Sequence, residues 1–448
     1  MEIAIQGRIA IFFDKNDKLR FVKNPLILVE ENRITDIDTY SRLKNDIAGH
    51  DIVGDENQLL IPGLINCHTH LAMTLFRGLA DDLPLNIWLR EHIWPLEEKL
   101  SAEDVLRGSK LGVIESILAG VTTANSMYWY PSSEAKAIEE TGFRGLIAAP
   151  VITGITKLEE VIEIVNKHHN TSNDRIRVTL SLHSPYTVTI TDFQQFYEYL
   201  LDYNKSHDGN PKLMMHTHLA ESETEMSESR ELNTKYGLEF PPANTPTELL
   251  NHVGVLNNNL IAAHCIHVNE NDINLLAAKK VRVSLNPLSN AKLGNYMPPI
   301  PDIISKVKDI GIGTDGPASN NTLDLFDTVR FLALYYKGYH HEPTLIKAKE
   351  VFKLATIGGS KALNWEGIGT LEAGSLADIV TINLKQPHLT PKISDEIILN
   401  HFAYSMKGKD VENVLIDGKL VLEKGKLDKV DIEKEIELTE EIIHHLMS

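Results

Sequence analysis

Two histidines one residue apart, His68 and His70, end the apolar run Leu64-Ile65-Asn66-Cys67. On a strand, side chains i and i+2 point to the same face, so both imidazoles aim at one point. Neutral imidazole is the commonest protein metal ligand, and two on one face can begin a metal site. A bare His-x-His is more often surface or packing than ligand, so the rest of the chain must supply partners. His216-Thr217-His218-Leu219-Ala220-Glu221 ends a second apolar run. His216 and His218 share one face; His218, at the strand tip, is the better placed ligand, and His216 reads as a surface residue. Glu221 faces the same cavity, where a carboxyl can act as general acid or base. His264-Cys265-Ile266-His267 ends a third run, with His264 nearest the strand end and His267 structural or exposed. Asp315 follows another apolar strand and precedes Gly316. Viewed alone it is an ordinary turn or N-cap residue; viewed with the histidines it can bind a metal and take a proton from the metal's water. His68, His70, His218 and Asp315 then form a His3Asp set. Nitrogen and oxygen ligands with one open position suit catalytic Zn2+, with Fe2+ or Mn2+ as alternatives. A bound divalent ion lowers the pKa of water from about 15.7 to about 7 and so makes hydroxide at neutral pH.

The elements that must position these residues follow from periodicity. Residues 1–60 read as short strands and turns with no catalytic cluster: Ile3 to Phe13, Leu19 to Phe21 and Leu26 to Val29 are β-like. From residue 61 to about 365, strand-like runs alternate with amphipathic helical stretches. The strands expected after the one before His68 are Gly120–Asn125, Arg144–Val151, Arg177–Leu182, Leu213–His218, Leu260–His264, Val281–Asn286 and Gly311–Thr314. Helical patterns include Ala102–Ala119 and Thr156–His168. Eight strand positions over about 300 residues predict a (β/α)8 TIM-like barrel, whose active sites lie at the carboxyl ends of the strands. Every residue singled out above sits at such an end. So do two polar loops, His183-Ser184-Pro185-Tyr186 and Asn286-Pro287-Leu288-Ser289-Asn290, suited to substrate contact or loop shape. Residues 366–448 return to strands and turns, with Asp417-Gly418 between apolar runs as a hairpin signal. The simplest architecture joins 1–60 and 366–448 into one small β-sandwich made from both chain ends, beside a catalytic barrel at 61–365. Ile432–Leu446 reads as a surface helix with no special function.

Composition sets the outer bounds. A 42% hydrophobic share of 448 residues is enough for a sizeable core. A net charge of -18 argues against a nucleic-acid or anionic-membrane surface as the main partner and leaves a small-molecule substrate. The two cysteines, Cys67 and Cys265, do not support a disulfide framework and fit a reducing, cytoplasmic compartment. No apolar run approaches the ~20 residues of a membrane helix. A homo-oligomer is compatible with the size, but the sequence carries no interface signal.

The chain resembles the amidohydrolase superfamily and, within it, the deaminases of 5'-methylthioadenosine and S-adenosylhomocysteine. The resemblance spans essentially the whole length. It rests on Pro62-Gly63-Leu64-Ile65-Asn66-Cys67-His68-Thr69-His70, His218-Leu219-Ala220-Glu221, Ala263-His264-Cys265, Gly313-Thr314-Asp315-Gly316 and the stretch Gly369–Asp378. It implies that His68, His70, His218 and Asp315 are the ligands of one metal ion. It implies that His264 orients the water without ligating, that Glu221 protonates the ring nitrogen, and that Asp315 receives the water's proton, both carboxyls touching the substrate. The stretch from Leu83 to Glu97 looks like the family's substrate loop, with Trp88 packing on the ligand and Glu97 accepting from ribose hydroxyls. Arg144 and His183 resemble further substrate contacts. The implied reaction is hydrolytic deamination of an adenine nucleoside, namely 5'-methylthioadenosine, S-adenosylhomocysteine, 5'-deoxyadenosine or adenosine. Guanine deaminase and s-triazine hydrolase are the alternatives on the same scaffold. Two departures stand out: Leu285-Asn286-Pro287 replaces the usual His-Asn-Pro, and no second arginine follows Arg144 until Arg175.

Overall fold

The computed structural model describes residues 2–447. Eight parallel strands close into a barrel: β1 (Leu64–Thr69), β2 (Val121–Met127), β3 (Arg144–Ala148), β4 (Ile176–Leu182), β5 (Met214–Leu219), β6 (Leu260–His264), β7 (Arg282–Leu285) and β8 (Ile310–Ile312). Neighbours in sequence are neighbours in space. β8 pairs β1 at Ile312 and Asn66, and β3 pairs β4, so the ring has no open edge. The strands match the expected positions to within two residues at nearly every end. The expected strand at 144–151 divides: β3 ends at Ala148, and Pro150–Val151 pairs separately with β4.

Pro62-Gly63 separates two sheets. Gln58–Pro62 pairs with Ile379–Asn383 and with Ile9–Phe13 in a seven-stranded sheet. A four-stranded sheet of Glu2–Gln6, Pro25–Glu30, Arg33–Thr39 and Asp51–Val53 lies with it. Their apolar faces, among them Ile5, Phe12, Ile27, Leu60 and Leu415, share one core, which makes a small β-sandwich from both chain ends. The Asp417-Gly418 signal is a hairpin, with φ of 53° and 73°, joining Val411–Ile416 to Lys419–Glu423.

Two helices matter for the site. α1 (Ala102–Leu118) starts in a capping box, Ser101 with Asp104, and flanks β1 and β2. α2 (Glu225–Lys235) follows β5 directly. The expected C-terminal helix forms as α3 (Ile432–Met447), but it is more than a surface helix. Glu435 pairs with Arg107 at 3.3 Å and Lys110 at 2.8 Å on α1. Leu446 joins an apolar cluster with Leu85, Trp88 and Ile93 of the stretch at 83–97. Among the described residues no helix is long and apolar enough to cross a membrane.

Candidate active site

The carboxyl ends of β1, β5, β6 and β8 meet. Asp315 Oδ1 lies 3.3 Å from His68 Nε2 and 3.2 Å from His70 Nε2. The ligand atoms of His68, His218 and His264 also lie within 4.8 Å of one another. Each imidazole is oriented through its other nitrogen. His70 Nδ1 donates to Met127 O at 2.6 Å, and His218 Nδ1 to His183 O at 2.7 Å. His68 Nδ1 faces His216 Nε2 at 3.0 Å. These contacts leave the Nε2 lone pairs turned toward a common point. The buried Nε2 atoms of His68 and His264 have no hydrogen-bond partner. Burial pushes the pKa of His68 down to about 3 and that of His218 well below the usual histidine range, so both rings are neutral and free to ligate. An unpaired buried nitrogen on a neutral ring costs about 1–3 kcal/mol, and a cation removes that cost. The donor set therefore fits a divalent metal ion.

Asp315 sits in the left-handed region at φ 62°, a conformation worth about 1–3 kcal/mol of strain and one that Asp tolerates better than most. It is held there by its amide to His68 O at 3.0 Å and by Thr69 Oγ1, which donates to its carbonyl at 2.9 Å. Gly313 permits the approach, since a Cβ there would stand 2.7 Å from His68 O. Ser289 and Ser319 donate to Oδ2 at 2.6 and 2.8 Å, which leaves Oδ1 facing the histidines. Burial raises the Asp315 pKa, but the facing imidazoles of His68 and His70 outweigh it and hold the carboxyl well below its usual range. Glu221 goes the other way. Burial raises its pKa; the attraction of His264 takes back part of that rise, and Asp315 adds a smaller repulsion. Its Oε1 lies 3.9 Å from His264 Nε2, and His264 Nδ1 pairs with Asn290 Oδ1 at 2.9 Å.

These groups open into a cavity of about 670 Å³, counted to its mouth. The expected contacts Trp88, Glu97 and His183 line it, together with Glu221 and Asp315. The stretch that brings Trp88 and Glu97 is wound as a π-helical turn at Trp88–Ile93 between two short α turns, Leu85–Ile87 and Trp94–Glu97; such turns recur at functional sites. Trp129 Nε1 donates to Glu97 at 3.4 Å, and burial lifts the Glu97 pKa. His183 Nδ1 pairs with Thr187 Oγ1 at 2.8 Å, and burial pushes its pKa to about 3.

Arg144 is a correction. It does not line the cavity. It is the first residue of β3, at the opposite end of the strand, and wholly buried. Its Nε and Nη2 donate to Asp378 at 2.8 and 3.0 Å, and its guanidinium lies 5.3 Å from the Trp365 ring centre. The arginine that resembled a substrate contact closes the barrel floor instead. His216 is a second correction: it is buried, not on the surface, and bonded to His68. Sequence reasoning also missed the parts played by Ser289, Asn290 and Ser319. The polar Asn286–Asn290 loop was visible as a signal, but its orientation of Asp315 and His264 was not.

The amidohydrolase family model matches residues 59–421, most of the chain. The chain belongs to the amidohydrolase family. This amidohydrolase is 39% identical over 428 residues to the 5'-deoxyadenosine deaminase of Methanothermobacter thermautotrophicus, with 94% of each chain covered. It is 39% identical over 420 residues to the 5-methylthioadenosine/S-adenosylhomocysteine deaminase of Dictyoglomus turgidum, with 92% of each covered. Among solved structures, an adenosine deaminase from Xanthomonas campestris with bound zinc superposes at a TM-score of 0.88 and 27% identity, over 99% of this amidohydrolase and 98% of that chain.

Proposed function

We propose that the chain is a metal-dependent aminohydrolase that converts an adenine nucleoside and water to the inosine analogue and ammonia. The observation that carries this reading is the cavity's carboxyl set. Asp315 is held ionised and Glu221 is pushed toward its protonated form at one end, while Glu97 opens into the same space from the substrate loop. Two carboxyls driven apart in pKa serve as base and acid. The third is not needed for hydrolysis and suits the hydroxyls of a ribose. The deaminase relatives support the same substrate class.

We assign zinc to His68, His70, His218 and Asp315; when bound it supplies an acidified water and a positive charge beside the reacting carbon. Asp315, its Oδ2 fixed by Ser289 and Ser319, takes the water's proton. Glu221 gives its proton to the ring nitrogen next to the amine-bearing carbon as that carbon becomes tetrahedral. His264, fixed by Asn290, turns Nε2 toward the water. The carbon–nitrogen bond then breaks and ammonia leaves, the leaving nitrogen taking its proton from Asp315 while the new hydroxyl gives its own to Glu221, which leaves the 6-oxo product with its ring N–H. Trp88 covers the base and helps to exclude solvent. Residues 61–365 carry all of these groups, and the two chain ends serve as their support.

The cavity lining contains no lysine or arginine. Arg90 of the substrate loop is engaged by Glu228 at 3.2 Å. A homocysteine carboxylate would enter without a charge-assisted partner. Methylthioadenosine, 5'-deoxyadenosine and adenosine are therefore preferred over S-adenosylhomocysteine. The test is a panel of these four nucleosides with guanine and an s-triazine on zinc-loaded enzyme, followed by ammonia release. We expect kcat/KM for the uncharged 5'-groups to exceed that for S-adenosylhomocysteine by about tenfold, one lost charge-assisted contact. A higher value for the homocysteine compound sinks the 5'-preference. Turnover of guanine or the triazine with none of the nucleosides sinks the substrate class.

A further inference from the structure

Glu221 does not hold its own position. Its side chain reaches no hydrogen-bond partner among the described residues, and His264 Nε2 stands off at 3.9 Å. Where its carboxyl points is therefore decided by its backbone. That backbone leaves β5 through Ala220 at φ 52°, a left-handed turn that a residue with a Cβ does not adopt unaided. The turn is held by another carboxyl, the first residue of α2. Glu225 Oε1 accepts from the amide of Ala220 at 3.0 Å, and Oε2 accepts from the amide of Glu221 at 2.9 Å. Glu225 has no solvent exposure. The same turn is tied across to the loop after β6, since Ala220 O accepts from the amides of Ile266 at 3.0 Å and His267 at 2.8 Å. His264 immediately precedes that loop, also at positive φ. One buried side chain thus braces the strand tip that carries the acid and, through Ala220, the segment that carries its histidine neighbour.

We propose that Glu225 is a positioning residue for the deamination step, acting through the backbone of Glu221. This rests on Glu221 being the acid. It places Glu225 outside substrate binding, since it neither lines the cavity nor touches the ligand set. Its loss should therefore appear in kcat rather than in KM or metal content.

The test compares Glu225→Gln, Glu221→Gln and the double variant, each as full-length metal-loaded enzyme. Glutamine keeps the volume but turns an amide N–H against a backbone N–H, so one of the two bonds is lost. We expect Glu225→Gln to lower kcat by about 10–100-fold, the scale of an ångström-sized misplacement, with KM and metal per chain within about twofold of wild type. In the Glu221→Gln background the same substitution should lower kcat by less than about threefold, because the group it positions is already gone. An equal loss in both backgrounds, or a fall in bound metal matching the fall in kcat, makes Glu225 a general structural residue and overturns the proposal. So does a kcat within about threefold of wild type. Wild-type kcat in Glu221→Gln alone overturns the acid assignment, which that single variant reveals without reference to Glu225. Should Glu225→Gln not accumulate as folded protein, Glu225→Asp, which keeps the carboxyl with a shorter reach, carries the same comparison.

Discussion

The two ends of the barrel bury charge in opposite ways. At the floor, Arg144 is surrounded by complementary groups: Asp378 takes two of its hydrogen bonds, Asp417 Oδ1 lies 3.4 Å from Nη2, and the Asp174 carbonyl accepts at 3.2 Å. Asp378 is itself braced by the amide of Asp417 at 2.8 Å. At the mouth, the histidines keep unpaired nitrogens, and Asp315, His264 and Ala220 all sit at positive φ. Both ends bury their charged groups, the floor almost completely and the mouth slightly less so. The charges of the floor are paired and link the barrel to the sandwich segments that carry Asp378 and Asp417. The mouth is left unsatisfied and strained, which is what the cation and substrate proposed for it would make good. Burial and charge alone do not mark a functional site; the state of satisfaction does.

Substitutions at the two ends should separate stability from activity. Asp315→Asn keeps the shape, and Asn accepts the left-handed φ, but it removes the carboxylate that takes the proton. We expect kcat/KM to fall by about 10³-fold or more, on the order of 4 kcal/mol, while the melting temperature of the metal-free protein stays the same or rises. A parallel loss of thermal stability would undo the contrast between mouth and floor. Arg144→Met is the mirror experiment. It strands Asp378 and Asp417 as buried charges, and breaking such a network costs about 3–5 kcal/mol. Denaturant unfolding should show that loss, whereas kcat and KM of the remaining folded enzyme should match wild type. A raised KM with unchanged stability would return Arg144 to the substrate site.

Much of this contrast was legible in the sequence, and its limits are physical. The His-x-His pair, His218 and Asp315 were readable because alternating strands ending in polar residues put chemistry at one rim, and a barrel has only one such rim. Arg144 was misread for lack of strand polarity. It opens a strand that ends at Ala148, so at about 3.3 Å per residue it lies about 13 Å from that strand's carboxyl end. A residue at the start of a barrel strand belongs to the floor. The sandwich was readable from both chain ends because its strands are short and punctuated by turns, as at Asp417-Gly418. What could not be read was pairing across elements. Ser289 and Ser319 meet at Asp315, and Glu225 reaches back to Ala220, through backbone paths that no local periodicity encodes. The clustering of α3 with the substrate loop is of the same kind, since an amphipathic helix does not announce which surface it covers.

His216 shows how far the two-residue period could have gone. It shares a face with His218, so once His218 points into the barrel His216 must as well, one layer deeper. There it meets His68 Nδ1 at 3.0 Å, with Ser181 Oγ at 3.4 Å from its own Nδ1. His70 and His218 are oriented by backbone carbonyls, which no substitution removes; His68 is oriented by a side chain. Among the three histidines assigned to the metal, this makes His68 the one whose support can be deleted. His216→Phe would leave the His68 N–H buried without an acceptor and free the ring to turn. We expect metal affinity, read by competition with a chelator, to fall about 10–100-fold, the usual effect of losing a ligand's outer partner. His216→Gln, whose carbonyl can accept the same hydrogen, should recover part of that loss. Unchanged affinity in His216→Phe would mean that packing alone orients His68, and the mouth would then be held in the same manner as the floor.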